Sequence, residues 1–343
     1  MPLAHPFLVK DIAFQASLST ATVDRVLNGR PGVRRQTEMR VRAAIAELEK
    51  QQTGAETTGS KLAIDILMEA PERFTAAVRD AFEAEVATYL PTVFRCRFHF
   101  HEVMRPAELA LFIDRIRLRG TDGMVVKAPD VADVGAAVRR AVEAGILVVT
   151  LVTDLPNTGR AAYAGADNRA AGETAAYLIG ECLGSRRAKV LVTLSSSRFR
   201  GEEEREIGFR RVMRDRFPHV GIREISEGHG TDIATGGLVS SVLAQDPDIN
   251  AVYSIGGGNR AALAAFEAAG RDICIYVAHD LDADNRALLR DRRITFVLHH
   301  DLRTDARSAF RAIMSRGPIG GRALVSSPSA VEIITPYNMP TAG

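Results

Sequence analysis

Residues 9–50 read VKDIAFQASLSTATVDRVLNGRPGVRRQTEMRVRAAIAELEK, and their spacing alone places three helices. Val9, Ile12, Ala13 and Ala16 recur at i, i+3, i+4 and i+7, one face of a helix. After the turn Ala16-Ser17-Leu18, Ser19 is a natural N-cap for a second helix whose apolar side is Val23, Val26 and Leu27. Asn28-Gly29 ends it, with Pro31-Gly32 beyond. A third helix, from about Thr37 to Lys50, turns Val41, Ala44, Ile45 and Leu48 inward. Three short helices with a tight turn between the first two make a compact bundle.

This part of the chain is also its basic part. Residues 1–50 hold eight Lys/Arg and five Asp/Glu, a balance of +3 in a chain of formal net charge +2, so the remainder carries −1. A polyanionic partner therefore favours the N-terminal segment.

Outward from the bundle, residues 51–60, QQTGAETTGS, are small and polar with no large apolar side chain, the composition of a linker. From Lys61 onward strand-like runs alternate with amphipathic helices. The strands are Leu62–Met68, Phe94–His101, Gly123–Val126, Leu147–Val152, Val190–Leu194, Ala251–Ile255, Ile273–Ala278 and Ile294–Leu298. Helical segments such as Thr75–Tyr89, Arg169–Leu183 and Asn259–Ala269 lie between them. That alternation implies βαβ units and parallel sheets. With this many strands two sheets are expected, with ligands at the carboxyl ends of the strands.

Residues 9–50 closely resemble the DNA-binding headpiece of the LacI/GalR regulators. The matching residues are Val9-x-Asp11-Ile12-Ala13, Ala16-x-Leu18-Ser19-x-x-Thr22-Val23-x-Arg25-Val26-Leu27-Asn28, Val33, Thr37, Val41 and the closing Ala-x-x-Glu-Leu. The resemblance implies a helix-turn-helix. Thr20, Ala21 and Arg25 fall at the family's base-reading positions, and Ser19, Thr22, Asn28 and Thr37 where it contacts phosphate or supports the recognition helix. An Arg bidentate to guanine is the commonest specific contact in a major groove. Two residues depart from the pattern: Asp24 stands in place of the usual serine, and Arg34, a phosphate-seeking cation, in place of the N-cap serine of the third helix. The linker also lacks the leucine that the family wedges into the operator's minor groove, so weaker bending of the operator is expected.

The remainder resembles the type-1 periplasmic sugar-binding proteins. The resemblance rests on Gly165-Ala-Asp167-Asn168-x-x-Ala-Gly172, the segment Arg200 to Gly208-Phe209, Ile255-Gly-Gly-Gly-Asn259, Val277-Ala-His279-Asp280 and Val297-Leu-His299-His300-Asp301. Such proteins grip polyols by hydrogen bonds from Asp, Asn and Arg, with an aromatic ring under the apolar face of the sugar. By resemblance the ligand residues are Phe74 as the stacking ring, Asp280 as the hydroxyl-gripping carboxylate, Asn259, and His300 in the last strand-loop, where ordinary loop polarity is the alternative. Near the family's arginine clamp the sequence offers Arg200, Glu203 and Arg205; Glu203 aligns with the clamp and Arg205 with a structural arginine, and a carboxylate at the clamp selects against an acidic ligand. Asp167 reads as a helix cap.

The expected architecture is α/β: a helix-turn-helix headpiece (1–50), a hinge (51–61) and a periplasmic-binding-protein-like domain (62–338) of two doubly wound parallel-sheet subdomains. The first subdomain spans about 62–160 and 292–322, the second about 161–291 and 323–338. The expected function is a DNA-binding regulator, a repressor acting as a homodimer on a pseudo-palindromic operator and controlled by a sugar or sugar alcohol. The alternative is an NAD(P)-dependent dehydrogenase using Gly256-x-Gly258-x-x-Ala261, which follows a strand, opens a helix and has Asp280 about 20 positions on. No general base, nucleophile or triad accompanies that loop, so no catalytic residue and no cofactor are expected. His99 and His101 alternate on one strand face without a third ligand nearby, and no metal is expected. Three cysteines, Cys96, Cys182 and Cys274, lie far apart, as suits a reducing compartment. Without a secretory h-region, and with its most apolar run limited to Gly145–Val152, the chain is expected in the cytoplasm, away from membranes.

Overall fold

The computed structural model describes residues 9–16, 18–28, 30, 32–33, 35, 37–45, 61–89, 92–315 and 328–340. The linker at 51–60 and Arg34, both singled out in the sequence, lie outside them. Two compact units form: Met1–Lys61 with Tyr89–Val93, and Leu62–Thr88 with Phe94–Gly343.

In the small unit, α1 (Val9–Ala16) and α2 (Thr20–Leu27) are followed by α3 (residues 37–45). Ile12, Val23 and Val41, one from each helix, have no solvent exposure and pack with Ala13, Ala16 and Ala44. The Arg40 guanidinium donates to the Ala16 carbonyl at 2.8 Å, satisfying one of the open acceptors at the end of α1.

The large unit has two halves. The first is a five-stranded sheet in the order β2-β1-β3-β4-β5, from β1 (Lys61–Glu69), β2 (Val93–His101), β3 (Gly123–Lys127), β4 (Leu147–Leu151) and β5 (Ala162–Ala164). Its β1/β3, β3/β4 and β4/β5 pairs are parallel. Every residue of β3, GMVVK, is buried, because helices cover both faces of the sheet. On one face α5 (Pro106–Arg119) and α6 (Ala132–Glu143) pack Ile113, Val134 and Val138 against Met124, Val126 and Val148. On the other, α12 (Leu302–Met314) packs on α4 (Glu72–Val86) and on β4 and β5. Phe310 there stacks on Phe94 at 4.3 Å and meets Phe82 edge-on at 5.3 Å.

The second half is a six-stranded sheet, β11-β10-β9-β8-β6-β7, from β6 (Lys189–Thr193), β7 (Gly221–Ile225), β8 (Ile249–Ser254), β9 (Ile275–His279), β10 (Phe296–His299) and β11 (Glu332–Ile334). Only β11 among these pairs antiparallel. Side chains alternate between the faces: Val190, Val192, Tyr253 and Val277 pack under α7 (Asn168–Leu183) and α8 (Arg200–Arg216), and Leu191, Val252 and Tyr276 under α9 (Asp232–Gln245), α10 (Asn259–Ala268) and α11 (Ala283–Arg290). This is the expected doubly wound pair of parallel sheets.

The boundary between the halves differs from the expected one at two strands. Ala162–Ala164 pairs with β4 in the first sheet, and Phe296–His299 pairs with β9 in the second. The chain therefore crosses after β5 and again between β10 and α12, rather than near 160 and 292. Both strands are short, and a short apolar strand has no local signal for which sheet it completes.

Gly172 and Gly208 bring α7 and α8 together backbone to backbone. A Cβ on Gly172 would lie 1.9 Å from the Arg205 carbonyl oxygen, and one on Gly208 2.3 Å from that of Arg169. Gly172→Ala should push the helices apart and destabilise the large unit by about 1–3 kcal/mol. A thermal unfolding midpoint equal to wild type would contradict this account of the packing.

Candidate functional site

In the small unit, α2 starts at the Ser19 cap, whose Oγ accepts the Thr22 amide at 3.2 Å and lies 2.8 Å from the Thr22 hydroxyl. Burying Val23 turns the opposite side of the helix outward, so Thr20, Ala21 and Arg25 are exposed together. Thr37 is half-buried at the start of α3. Asn28 takes the supporting role of the two expected for it. Its side-chain amide donates to the Asp24 carbonyl at 2.9 Å and to the Asp24 carboxylate at 2.8 Å, closing the helix end rather than projecting outward. Asp24 also pairs with Arg30 at 3.2 Å, so its negative charge is neutralised locally.

The large unit has a pocket of about 760 Å³, including its open mouth, between its two halves. The carboxyl ends of the strands build it: Glu69 at the end of β1 with Pro71 beyond, Lys127 at the end of β3, Val152 and Thr153 after β4, Ser195 after β6, Ile255–Gly257 after β8, and His279 at the end of β9 with Asp280 and Asp282 beyond. Three non-glycine residues of its lining, Val152, His229 and Asp280, have left-handed backbone at φ 64°, 51° and 66°. Backbone of this kind costs on the order of 1–3 kcal/mol per residue and gathers at ligand sites. At Asp280 the strain is held by Asn285, whose amide donates to the carbonyls of His279 and Asp280 at 2.8 and 2.7 Å.

Of the expected ligand residues, Phe74 and Asp280 line the pocket and four others do not. Glu203 is exposed, and Arg200 pairs with Glu204 at 3.0 Å and with Asp130 at 3.7 Å. The helical repeat of α8 instead turns Gly201, Glu202 and Arg205 inward. Asn259 is buried one layer behind the pocket, donating to Asn285 Oδ1 at 2.6 Å and accepting from the Tyr276 hydroxyl at 2.8 Å. His300 also lies behind it: Nδ1 is 2.7 Å from Asp305, and Nε2 is 3.5 Å from the Asp280 carboxylate. Burial alone would lower its pKa, but Asp305 and Asp280 outweigh it and hold the imidazole above its usual range. Asp167 caps α7, accepting the Ala170 amide at 3.0 Å.

Several pocket residues were not foreseen. Lys127 is buried at the floor, its ammonium donating to the Glu69 carbonyl at 2.9 Å and lying 4.1 Å from the centre of the Phe199 ring. The signal for it was a lysine ending an otherwise apolar strand. Arg73, from the first half, reaches across to Asp282 at 3.0 Å and to the Gly230 carbonyl at 2.7 Å, tying the halves together.

The glycine run has a packing role here. A Cβ on Gly256 would fall 1.9 Å from the Ser195 amide nitrogen, and one on Gly257 2.3 Å from the Arg73 guanidinium. Gly258, at φ 75°, opens α10 against Thr235.

A family model for the lacI family of bacterial regulatory proteins matches residues 8–49, and one for the periplasmic binding protein domain matches residues 66–316. The chain belongs to the family of the periplasmic binding protein domain, and its residues 8–49 carry the match to the lacI regulators. Neither family is enzymatic, which removes the dehydrogenase alternative. No curated protein matches the chain. Among solved structures, a glucose-galactose binding protein from Geobacillus stearothermophilus is 18% identical, with TM-score 0.72 over 82% of this chain and 99% of that one. A solute binding protein from Agrobacterium vitis with bound D-fucose is 17% identical, with TM-score 0.71 over 81% and 97%. A protein assigned as a LacI transcriptional regulator from Bacteroides fragilis is 15% identical, with TM-score 0.67 over 81% and 98%. These likenesses concern the fold of the large unit.

In this regulator the Arg73–Asp282 link carries a titratable group. Burial, with Asp280 and Asp284 nearby, outweighs the Asn285 amide and Arg73 and raises the Asp282 carboxyl from 3.8 to about 6. The folded protein thus holds this proton more tightly than the unfolded chain does, and the stability it contributes is lost as pH rises through about 4 to 6. Relative to Asp282→Asn, the wild-type unfolding midpoint should fall across that interval. Parallel pH profiles for the two proteins would contradict it.

Proposed function

We propose that the protein is a transcriptional repressor, cytoplasmic and homodimeric on a pseudo-palindromic operator, whose DNA affinity is set by a small polyhydroxylated effector, a sugar or sugar alcohol. The exposed Thr20-Ala21 and Arg25 face of α2 supports base reading in the major groove, with Ser19, Thr22 and Thr37 beside it as phosphate contacts and Asn28 closing the recognition helix; Arg34 is assigned to phosphate by the resemblance alone. Among the described residues no helix is long and apolar enough to cross a membrane.

The observation that carries the effector reading is the pocket lining. Carboxylates at Glu202 and Asp280 and the guanidinium of Arg205 line the same pocket as Phe74. Fixed acceptors and donors around an aromatic ring suit a ring-shaped polyol, which has an apolar face and a rim of hydroxyls. Relatives of the same fold are named for glucose, galactose and D-fucose. The effector would bridge groups from both halves and shift the balance between their open and closed arrangements.

The test is calorimetry of the full-length protein against a panel of hexoses, pentoses, alditols and inositols. Saturable one-to-one binding of one member supports the reading. Heatless titrations throughout, with the protein folded, contradict it.

A further inference from the structure

The polyol reading leaves one property of the pocket unexplained, its charge. Five carboxylates line it, Glu69, Glu102, Glu202, Asp280 and Asp282, against three cations, Arg73, Lys127 and Arg205. His300 and Asp305 behind Asp280 form a pair that offsets itself. A neutral sugar needs no such surplus, and in a site screened from water the excess charge creates a field for a cation.

Most of these groups are engaged. Asp282 has Arg73. Glu202 accepts from the amide and hydroxyl of Ser195. Asp280 faces His300. Arg205 Nε donates to Asn168 at 2.8 Å, and Lys127 donates to a backbone carbonyl rather than to a carboxylate.

Glu69 differs from them. Its side chain is 2% exposed and lines the pocket, and while the Met104 amide donates to its carboxylate, Oε2 has no hydrogen-bond partner among the described residues. A buried carboxylate oxygen without a donor is a strong demand for one. Burial pushes the Glu69 carboxyl above its usual range, and the charges of Lys127 and Arg198 nearby only partly offset it. Exposed Glu102, near the mouth, adds attraction for a cation on its way in.

We infer that the effector is a polyol bearing a primary amine, an amino sugar or aminocyclitol, whose ammonium docks on the free oxygen of Glu69. This rests on the polyol reading above and narrows it. An ammonium supplies the missing donor and the missing charge together, whereas a hydroxyl supplies only the first.

The experiment titrates the full-length protein with matched pairs. Glucose, galactose, mannose and myo-inositol are each compared with the monoamino derivative and with its N-acetyl form. One amino compound should bind at least about tenfold more tightly than its neutral parent and its N-acetyl form, the margin of a charge-assisted bond over a neutral one. Glu69→Gln should bring that pair within about threefold while the neutral parent still binds, and Glu69→Asp should keep the preference. A neutral parent that binds as tightly as its amine overturns the inference and leaves the polyol reading standing. So does a preference that survives in Glu69→Gln. If no member of any pair binds, this inference fails, while the polyol reading stands or falls on the wider panel above.

Discussion

Asp280→Ala should weaken effector binding by about a hundredfold or more, the loss of two charge-assisted hydrogen bonds of roughly 1.5–3 kcal/mol each. The carboxylate stands at the carboxyl end of β9 with its side chain 21% exposed, and His300 behind it limits where it can turn. Its backbone, at φ 66°, complicates the alanine variant. Left-handed backbone suits Asp and Asn but costs other residues roughly 1–2 kcal/mol, so alanine adds strain to the loss of the carboxylate. Asp280→Asn separates the two effects. It keeps the backbone preference and one acceptor but removes the charge, and should fall between wild type and Asp280→Ala in affinity while unfolding near the wild-type temperature. Calorimetry with the compound identified from the panel measures both. Wild-type affinity in both variants would remove Asp280 from the binding site.

Arg25→Ala should reduce specific DNA binding by about 1–3 kcal/mol, up to roughly a hundredfold, and reduce non-specific binding far less. Arg25 is exposed on the side of α2 opposite fully buried Val23, so removing its guanidinium leaves the small core of Ile12, Val23 and Val41 in place. A phosphate contact would behave otherwise: its loss would weaken every sequence alike and flatten the dependence on salt. Competition between a selected duplex and scrambled duplexes, run at two salt concentrations, separates these cases. Undiminished discrimination in Arg25→Ala would mean that another residue reads the base edge.

The helix-turn-helix was legible because its signals are local. Ser19 caps the helix that follows it, and Val23 lies four residues on, on the face that must be buried. The eight strands read from the sequence each appear in the structure. Of the three that were missed, Ala162–Ala164 and Glu332–Ile334 run only three residues, and Gly221–Ile225 is interrupted by the charged pair Arg223-Glu224.

The pocket was less legible, since its residues converge from loops far apart in the chain. Within α8, RGEEEREIGF offers charges at consecutive positions, and the inward face depends on where the helix starts and how it meets α7. That geometry chooses Glu202 and Arg205 over Arg200 and Glu203. Asn259 and His300 match residue types that touch ligands, but each is claimed by a buried neighbour, Asn285 and Asp305 respectively. Lys127 and Glu69 were passed over for the opposite reason. Each closes a hydrophobic strand, and only the folded sheet shows that those strand ends meet in a cavity.

The coupling of the pocket to DNA is tested most directly by the affinity of the full-length protein for a duplex it has itself selected from a random pool. Fluorescence anisotropy would follow that affinity as the effector identified by calorimetry is added. The affinity should change by about fivefold or more at saturation, as a coupling of 1–3 kcal/mol requires, and should stay constant in Asp280→Ala at the same concentrations. Equal affinity of the wild-type protein for the duplex with and without saturating effector would contradict the account.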